Sequence, residues 1–311
     1  MDRRQFLITS AGIAIFLVSN PLSAVSAMGS KKTKIKFGIV TDLHFSRRKE
    51  YGNRFFTHSL DKLKEAIKVF NRRNLDFIIE LGDFKDQSEK PDRPETLSYL
   101  DEIEEIFQTF DGATYHVLGN HDMDSISKAD FLSHTKNSGS AKGKACYTFR
   151  KKGIKFIVLD ANYSEDMTDY NAGNFDWEKA FIPDGEKEWL EKELNCKYPV
   201  VVFTHQLLDS FSDVPKNVCI GNADEIREIL ERKNNVLAVF QGHHHRGHYS
   251  FRNGIHYCTL QALIEGAYPP NNSFAVVEID RSLNMQIEGF NNCESRLLDK
   301  NSAQSTQINE I

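Results

Sequence analysis

The sequence predicts one α/β domain built on a mixed β-sheet. Apolar runs of strand length alternate with stretches of helical period over most of the chain. Two hairpin patterns interrupt the alternation, in the middle and near the end. No repeat or long linker divides it. A length of 311 residues suits one large domain or two small ones, and an apolar share of 40% is enough for a full core.

The domain is read over residues 33–290. "KFGIVTDLH" begins as a buried strand and ends in polar residues. Phe56, Leu60, Leu63, Ile67 and Phe70 then recur at steps of four and three, which marks one helix face. "LDFIIELGDF" is a second strand that ends in an aspartate. Leu97, Leu100, Ile103 and Phe107 predict another helix, and "ATYHVLGNHD" repeats the strand-then-polar pattern. "ACYTFRKKGIKFIVLDAN" reads as two strands joined at Lys152-Gly153. "YPVVVFTHQ" and "NVLAVFQGHHH" are strands that end in histidine, with a helix between them over Ala223, Ile226, Ile229 and Leu230. "HYSFRNGIHYCTL" places Asn-Gly between alternating runs, a hairpin signal. "SFAVVEID" and "MQIEGF" close the domain as strands. Residues 291–311 read as a loose polar tail.

The N-terminus is a separate object. Residues 1–27 have a short basic start, an apolar stretch over about Phe6 to Val18, and small residues at the end, the tripartite pattern of an export signal. Arg3-Arg4 followed by Gln5-Phe6-Leu7 resembles a twin-arginine signal, with cleavage expected after Ala27. The expectation is a periplasmic or otherwise exported protein whose early partner is the export machinery. The apolar segment is short for a stable membrane span, and no later stretch reads as one.

A formal net charge of -5 argues against broad electrostatic binding of nucleic acid. The five cysteines, Cys146, Cys196, Cys219, Cys258 and Cys293, are dispersed and form no CxxC, which disfavours a cysteine-based zinc or iron–sulfur site. One disulfide is compatible with the count.

Five of the apolar strands end in polar clusters: Asp42 and His44, Asp83, Asn120 and His121, His205, and His243 to His245. In α/β folds ligands gather beyond the carboxyl ends of strands. A buried strand mouth has no use for an aspartate or histidine without a partner. Each cluster alone is compatible with a capped turn or a satisfied core histidine; the five together supply only oxygen and imidazole donors, a set that suits zinc, manganese or iron. If the segments are extended, the spacing of two puts Asp42 and His44 on one face, likewise His243 and His245, and turns His244 away. Gly82, Gly119 and Gly242 precede the candidate ligands, where a missing side chain allows close approach. Seven candidates are too many for one tetrahedral ion but suit two, with Asp83 able to bridge them.

The ordered set "DLH", "GD", "GNHD", "TH" and "GHHH" resembles the calcineurin-like metallophosphoesterase superfamily over about residues 35 to 290. The resemblance implies a four-layer αββα sandwich of two mixed β-sheets flanked by helices, with a dinuclear centre at the strand ends. It assigns one ion to Asp42, His44, Asp83 and His245, and the other to Asp83, Asn120, His205 and His243. His121 takes the place beside the leaving group, with Asp122 as its orienting neighbour. The ions, Mn2+, Fe or Zn2+, activate a water and offset charge on the transferring phosphoryl. Purple acid phosphatases carry a tyrosine three positions after the "GD" aspartate. Here that position is Asp86, so the ferric tyrosinate ligand is missing.

The stretch "LDANYSEDMTDYNAGNFDWEKAFIP" reads as a long loop. Its Tyr163, Tyr170, Phe175 and Trp177 either stack on a nucleobase or pin the loop. Arg54 reaches a phosphate or stays at the surface. His244 and His248 sit at the pocket edge or face solvent, with substrate contact as the rival reading. "QALIEGAYPPNNSFAVVEI" resembles a segment of bacterial relatives of manganese-dependent ADP-ribose/CDP-alcohol diphosphatases. The implied function is a metal-dependent phosphodiesterase or diphosphohydrolase on a small phosphoester substrate. The alternatives are a phosphomonoesterase and, more remotely, a metal-binding protein without activity.

Overall fold

The computed structural model describes residues 33–300 and 305–308. The export-signal segment lies outside the described residues. Strand β1 (Thr33–Val40) leads through a polar loop into helix α1 (Ser59–Asn71). Next come β2 (Phe77–Glu80), α2 (Arg93–Phe107), β3 (Ala113–His116) and the short α3 (Lys128–His134). The hairpin β4 (Tyr147–Lys151) and β5 (Ile154–Val158) follows, turning through Lys152 and Gly153 at φ 47° and 74°. Then come α4 (Asp184–Leu194), β6 (Val200–Phe203), α5 (Ala223–Glu231) and β7 (Val236–Gln241). The chain continues as β8 (Arg246–Arg252), β9 (Ile255–Gln261), β10 (Ser273–Asp280) and β11 (Met285–Asn291). Asn253 and Gly254 make the β8–β9 turn at φ 49° and 83°, as the Asn-Gly signal requires.

Two mixed sheets result among the described residues. One is ordered β13-β12-β11-β10-β1-β2-β3 and the other β4-β5-β6-β7-β9-β8, where β12 is Ser295–Leu298 and β13 is Ser305–Ile308. The segment expected to be a loose tail therefore extends the first sheet: β12 pairs antiparallel with β11, and β13 with β12. Leu298, buried among the inter-sheet residues, draws β12 onto the sheet edge. The helix α4 carried little apolar signal, since only Glu186, Leu190 and Leu194 of its residues are buried.

Alternation along β1 sorts its side chains between layers. Ile35, Phe37 and Ile39 meet Phe156, Phe203 and Phe240 of the other sheet, while Val40 faces α1 and α2. Phe37 stacks on Phe77 at 4.8 Å between ring centroids and meets Phe156 edge-on at 5.7 Å. Burial of each such ring contributes about 1.5–3 kcal/mol, against about 0.5–1.5 kcal/mol for ring geometry. Apolar area, more than ring orientation, therefore holds the sheets together. Helices α4 and α5 cover the outer face of the second sheet with Leu190, Leu194, Ile226 and Leu230. The layers run αββα. Strands β1, β2 and β3 are mutually parallel neighbours, as are β6 and β7, so their carboxyl ends open at one edge of the sandwich.

Candidate metal centre

Those strand ends bring Asp42, His44, Asp83, His205, His243 and His245 together, and Asn120 follows β3 between Gly119 and His121, both of which contact Asp83. His44 Nε2 lies 3.2 Å from His245 Nε2, 3.5 Å from Asp83 Oδ2 and 3.9 Å from Asp42 Oδ1. His245 Nε2 lies 3.6 Å from Asp42 Oδ1. His205 Nε2 is 3.1 Å from Asp83 Oδ2, and His243 joins Asp83 and His205 in a second group of candidate donors. Donors held at about 2.1 Å from one ion stand about 3.0–3.4 Å apart, so the closest of these separations match shared coordination.

The backbone reaches this arrangement in an unexpected way. The segments were expected to be extended, yet Asp42, His44, Asp83 and His243 all take left-handed conformations, at φ 52°, 47°, 56° and 63°. The tight reversals, rather than a two-residue strand period, converge the side chains. Such conformations cost of order 1–3 kcal/mol each and persist where surrounding contacts over-determine them. Those contacts are present: His44 N–H donates to Asp83 O at 2.8 Å, and Asp42 N–H to Gly82 O at 3.0 Å. Gly82 is needed for space as well, because a Cβ there would stand 2.5 Å from His205 Nδ1.

Asp83 keeps one oxygen for the centre. Asp83 Oδ1 accepts the His121 N–H at 2.7 Å, which leaves Oδ2 between His44 and His205. Asp42 Oδ2 accepts the Thr41 hydroxyl at 2.8 Å, and the His243 N–H lies 3.1 Å from both Asp42 oxygens. His205 Nδ1 donates to Leu81 O at 2.7 Å, which turns Nε2 inward. The buried Asn120 Oδ1 and Nδ2, His205 Nε2 and His243 Nε2 make no hydrogen bond within the protein. His205 Nε2 is near Asp83 but misaligned with it. Leaving such a group unpaired costs about 1–3 kcal/mol, which is large against a net stability of about 5–15 kcal/mol. The donor set fits divalent metal ions. Burial holds His243 well below the usual imidazole range, in the neutral form that ligation needs.

His121 stands beside the centre with its Nδ1 3.2 Å from Asp86 Oδ1 and 3.9 Å from Asp124 Oδ2. Burial alone would strip its proton, but the carboxylates of Asp86 and Asp83 outweigh burial and raise its pKa well above the usual value. Asp122 was expected to orient His121 and does not. Its carboxylate accepts backbone N–H groups from Gly119, Asp83 and Phe84 at 2.8, 3.1 and 3.0 Å, stapling two ligand loops together. Asp86, at the position of the missing tyrosine, is buried between His44 Nδ1 at 3.7 Å and His121. Lys85 Nζ bonds Asp124 Oδ1 and His121 O at 2.5 and 2.6 Å and so secures the second carboxylate. The repeated acid in "GDFKD" and "GNHDMD" was the available signal for Asp86 and Asp124.

The aromatic stretch over 159–183 is a long loop without a helix or extended strand. The four aromatics singled out from it divide. Phe175 lies 4.9 Å from the His121 ring, and Trp177, 43% exposed, lies 6.2 Å from the His243 ring. Tyr170 is buried, with its hydroxyl donating to Asp176 O at 2.6 Å, so it pins the loop instead of meeting substrate. Tyr163 is covered by Lys128 Nζ at 3.8 Å, and that amine also pairs with Asp160 at 2.6 Å. Arg54 Nε faces Glu265 Oε1 at 3.8 Å. His244 is half-buried and belongs to none of the candidate donor groups. His248 Nε2 faces the buried Asp209 at 3.7 Å rather than open solvent.

Known proteins share this arrangement of chain. Residues 35–247 match the family model described as calcineurin-like phosphoesterase, more than half of the chain. A manganese-dependent ADP-ribose/CDP-alcohol diphosphatase from Oryza sativa subsp. japonica is 25% identical, with 80% of this chain and 89% of the relative covered. Its Arabidopsis thaliana counterpart is also 25% identical, over 81% and 94%. A 3',5'-cyclic-nucleotide phosphodiesterase from Nostoc is 22% identical over 84% and 88%. Among solved structures, a dimetal phosphatase from Danio rerio superposes with a TM-score of 0.73 at 19% identity, covering 86% of this chain and 99% of that one. With the donor groups assembled at the strand ends, these matches show that the chain is a metal-dependent phosphoester hydrolase and belongs to the calcineurin-like phosphoesterase family.

Proposed function

We propose that the protein hydrolyses diphosphate or diester bonds in small nucleotide-like substrates with two divalent ions, manganese foremost. The observation that carries the reading is Asp83 Oδ2, which faces His44 on one side and His205 on the other, among buried donors without protein partners. In this reading Asp42, His44, Asp83 and His245 hold one ion, and Asp83, Asn120, His205 and His243 hold the other. Bound ions supply Lewis acidity that activates water and offsets phosphoryl charge. The remaining work falls to the chain. His121, protonated on both nitrogens, donates Nδ1–H toward Asp86 and presents Nε2–H to the leaving oxygen. Asp86 and Asp124 hold the ring through its Nδ1. Phe175 and Trp177 wall the mouth and offer faces on which a nucleobase stacks.

The substrate class follows the plant relatives, whose names specify ADP-ribose and CDP-alcohols, and the Nostoc relative, whose name specifies cyclic nucleotides. The test is kcat/KM with manganese for ADP-ribose, a cyclic nucleotide, bis-p-nitrophenyl phosphate and p-nitrophenyl phosphate. At least one of the first three should lead the monoester by about tenfold, which is about 1.4 kcal/mol of transition-state stabilisation. A monoester that leads all three by that margin would replace this reading with a phosphomonoesterase at the same centre.

A further inference from the structure

We infer that Glu265, seated by the buried Lys62, is a positioning residue that fixes His245 for the ion shared with Asp42 and His44. The inference rests on the metal-binding reading above and extends it beyond the direct ligands. His245 Nδ1 lies 2.7 Å from Glu265 Oε1. An ionised carboxylate only accepts, so the proton sits on Nδ1 and the lone pair of Nε2 points at the space shared with His44 and Asp42. The carboxylate also makes the ring a stronger donor to a cation.

Glu265 needs a rigid seat to do this, and the chain provides one. It lies just past β9, where Leu263 N–H donates to Thr41 O and Ile264 N–H to Asp42 O, both at 3.0 Å. The segment thus lies along the loop that carries Asp42. Lys62, on α1, is wholly buried, and its ammonium donates to Leu263 O, Glu265 O and Gly266 O at 2.6, 3.0 and 2.7 Å. Three donors meet three carbonyls, so the lysine is satisfied without a hydrogen-bonded carboxylate, and the three carbonyls are drawn toward one point. Burying an ammonium for packing alone is unfavourable, since an apolar side chain would fill the same space without desolvation cost. The lysine instead fixes a turn that no regular element supports. Glu265 reaches the candidate ligands through His245, whereas in the other donor group His205 Nδ1 meets the neutral Leu81 carbonyl. The effect of Glu265 should therefore fall on one ion.

The experiment is calorimetric titration of the metal-stripped full chain with Mn2+, alongside Glu265→Gln, Glu265→Ala and Lys62→Met. Glutamine preserves volume and an acceptor but removes the charge. Wild type should bind two ions. Glu265→Gln should weaken one of them by about 10–100-fold and leave the other within about twofold, with Glu265→Ala at least as severe. Lys62→Met should weaken the same ion if it folds, and the two Glu265 variants decide the matter if it does not. Both ions unchanged in Glu265→Gln, or both weakened equally with a lower melting temperature, would overturn the positioning role while leaving the metal reading intact. Wild type that takes up no manganese would overturn both.

Discussion

Asp83 does different work with each oxygen. Oδ1 holds the backbone of His121, and Oδ2 faces both histidine groups. Asp83→Asn keeps an acceptor for the His121 N–H but withdraws the only charge that both proposed ions share. Elemental analysis after manganese loading should fall from two ions per chain to one or fewer. Activity should drop by on the order of 10²-fold or more, far beyond the effect of His244→Ala. Equal losses in the two variants would refute the bridging assignment. The seven candidate ligands were legible because each follows an apolar run that has no other use for it. The residues behind them were not. Lys62 reads as a surface charge between Leu60 and Leu63, and Glu265 follows His245 by 20 positions. Only the folded chain brings them into register. Asp122 shows the converse error: adjacency to His121 suggested contact, but its carboxylate turns to the backbone of the neighbouring loop.

Among elements, α2 is tied to the sheet by a buried ionisable triad as well as by apolar packing, and burial pushes the Glu80 member up to about 7. His116 on β3 stands between Glu80 on β2, at 3.2 Å, and Glu104 on α2, at 3.1 Å. Burial works against its charge, but the two carboxylates, Glu104 foremost, outweigh burial and push its pKa up to about 10. A folded pKa above the unfolded value stabilises fully below the unfolded one and loses that stabilisation as pH rises through the folded one. The unfolded value is about 6.5. The urea midpoint of metal-free protein should therefore fall between about pH 6.5 and about 10. His116→Gln should be less stable at pH 6 and show a flatter decline. Parallel pH profiles for the two proteins would count against the triad. Nothing in "ATYHV" signalled it, because a histidine inside an alternating strand reads as an ordinary core residue. Hairpins lie at the other extreme: the turns at Gly153 and at Asn253-Gly254 were legible because glycine and asparagine themselves favour the left-handed conformation.

At the scale of the whole molecule, the mixed α/β class was legible from the order of periods, and the division into two facing sheets came only with the family resemblance. Periodicity says which faces are apolar and leaves open which face meets which. The added strands β12 and β13 show the limit, since short polar strands at a sheet edge carry almost no apolar signal. The cysteines bear on where the molecule works. All five are free. Cys219, Cys258 and Cys293 are buried, and burial pushes their thiols up to about 11, 12 and 12. Buried, protonated thiols resist oxidation, but an unfolded chain would expose all of them. If residues 1–27 direct export, as we propose, a chain that crosses already folded reaches an oxidising compartment with these thiols protected. That is the route suggested by Arg3-Arg4, a pathway that carries folded, metal-loaded cargo. Protein recovered from the periplasm should begin at Met28, as read by N-terminal sequencing. Arg3-Arg4→Lys-Lys should strand the chain in the cytosol, uncleaved, with its metal content unchanged. An intact Met1 on wild-type protein found wholly in the cytosolic fraction would rule out export. Cleaved, periplasmic Lys-Lys variant would keep export but remove the folded route and, with it, this account of the free thiols.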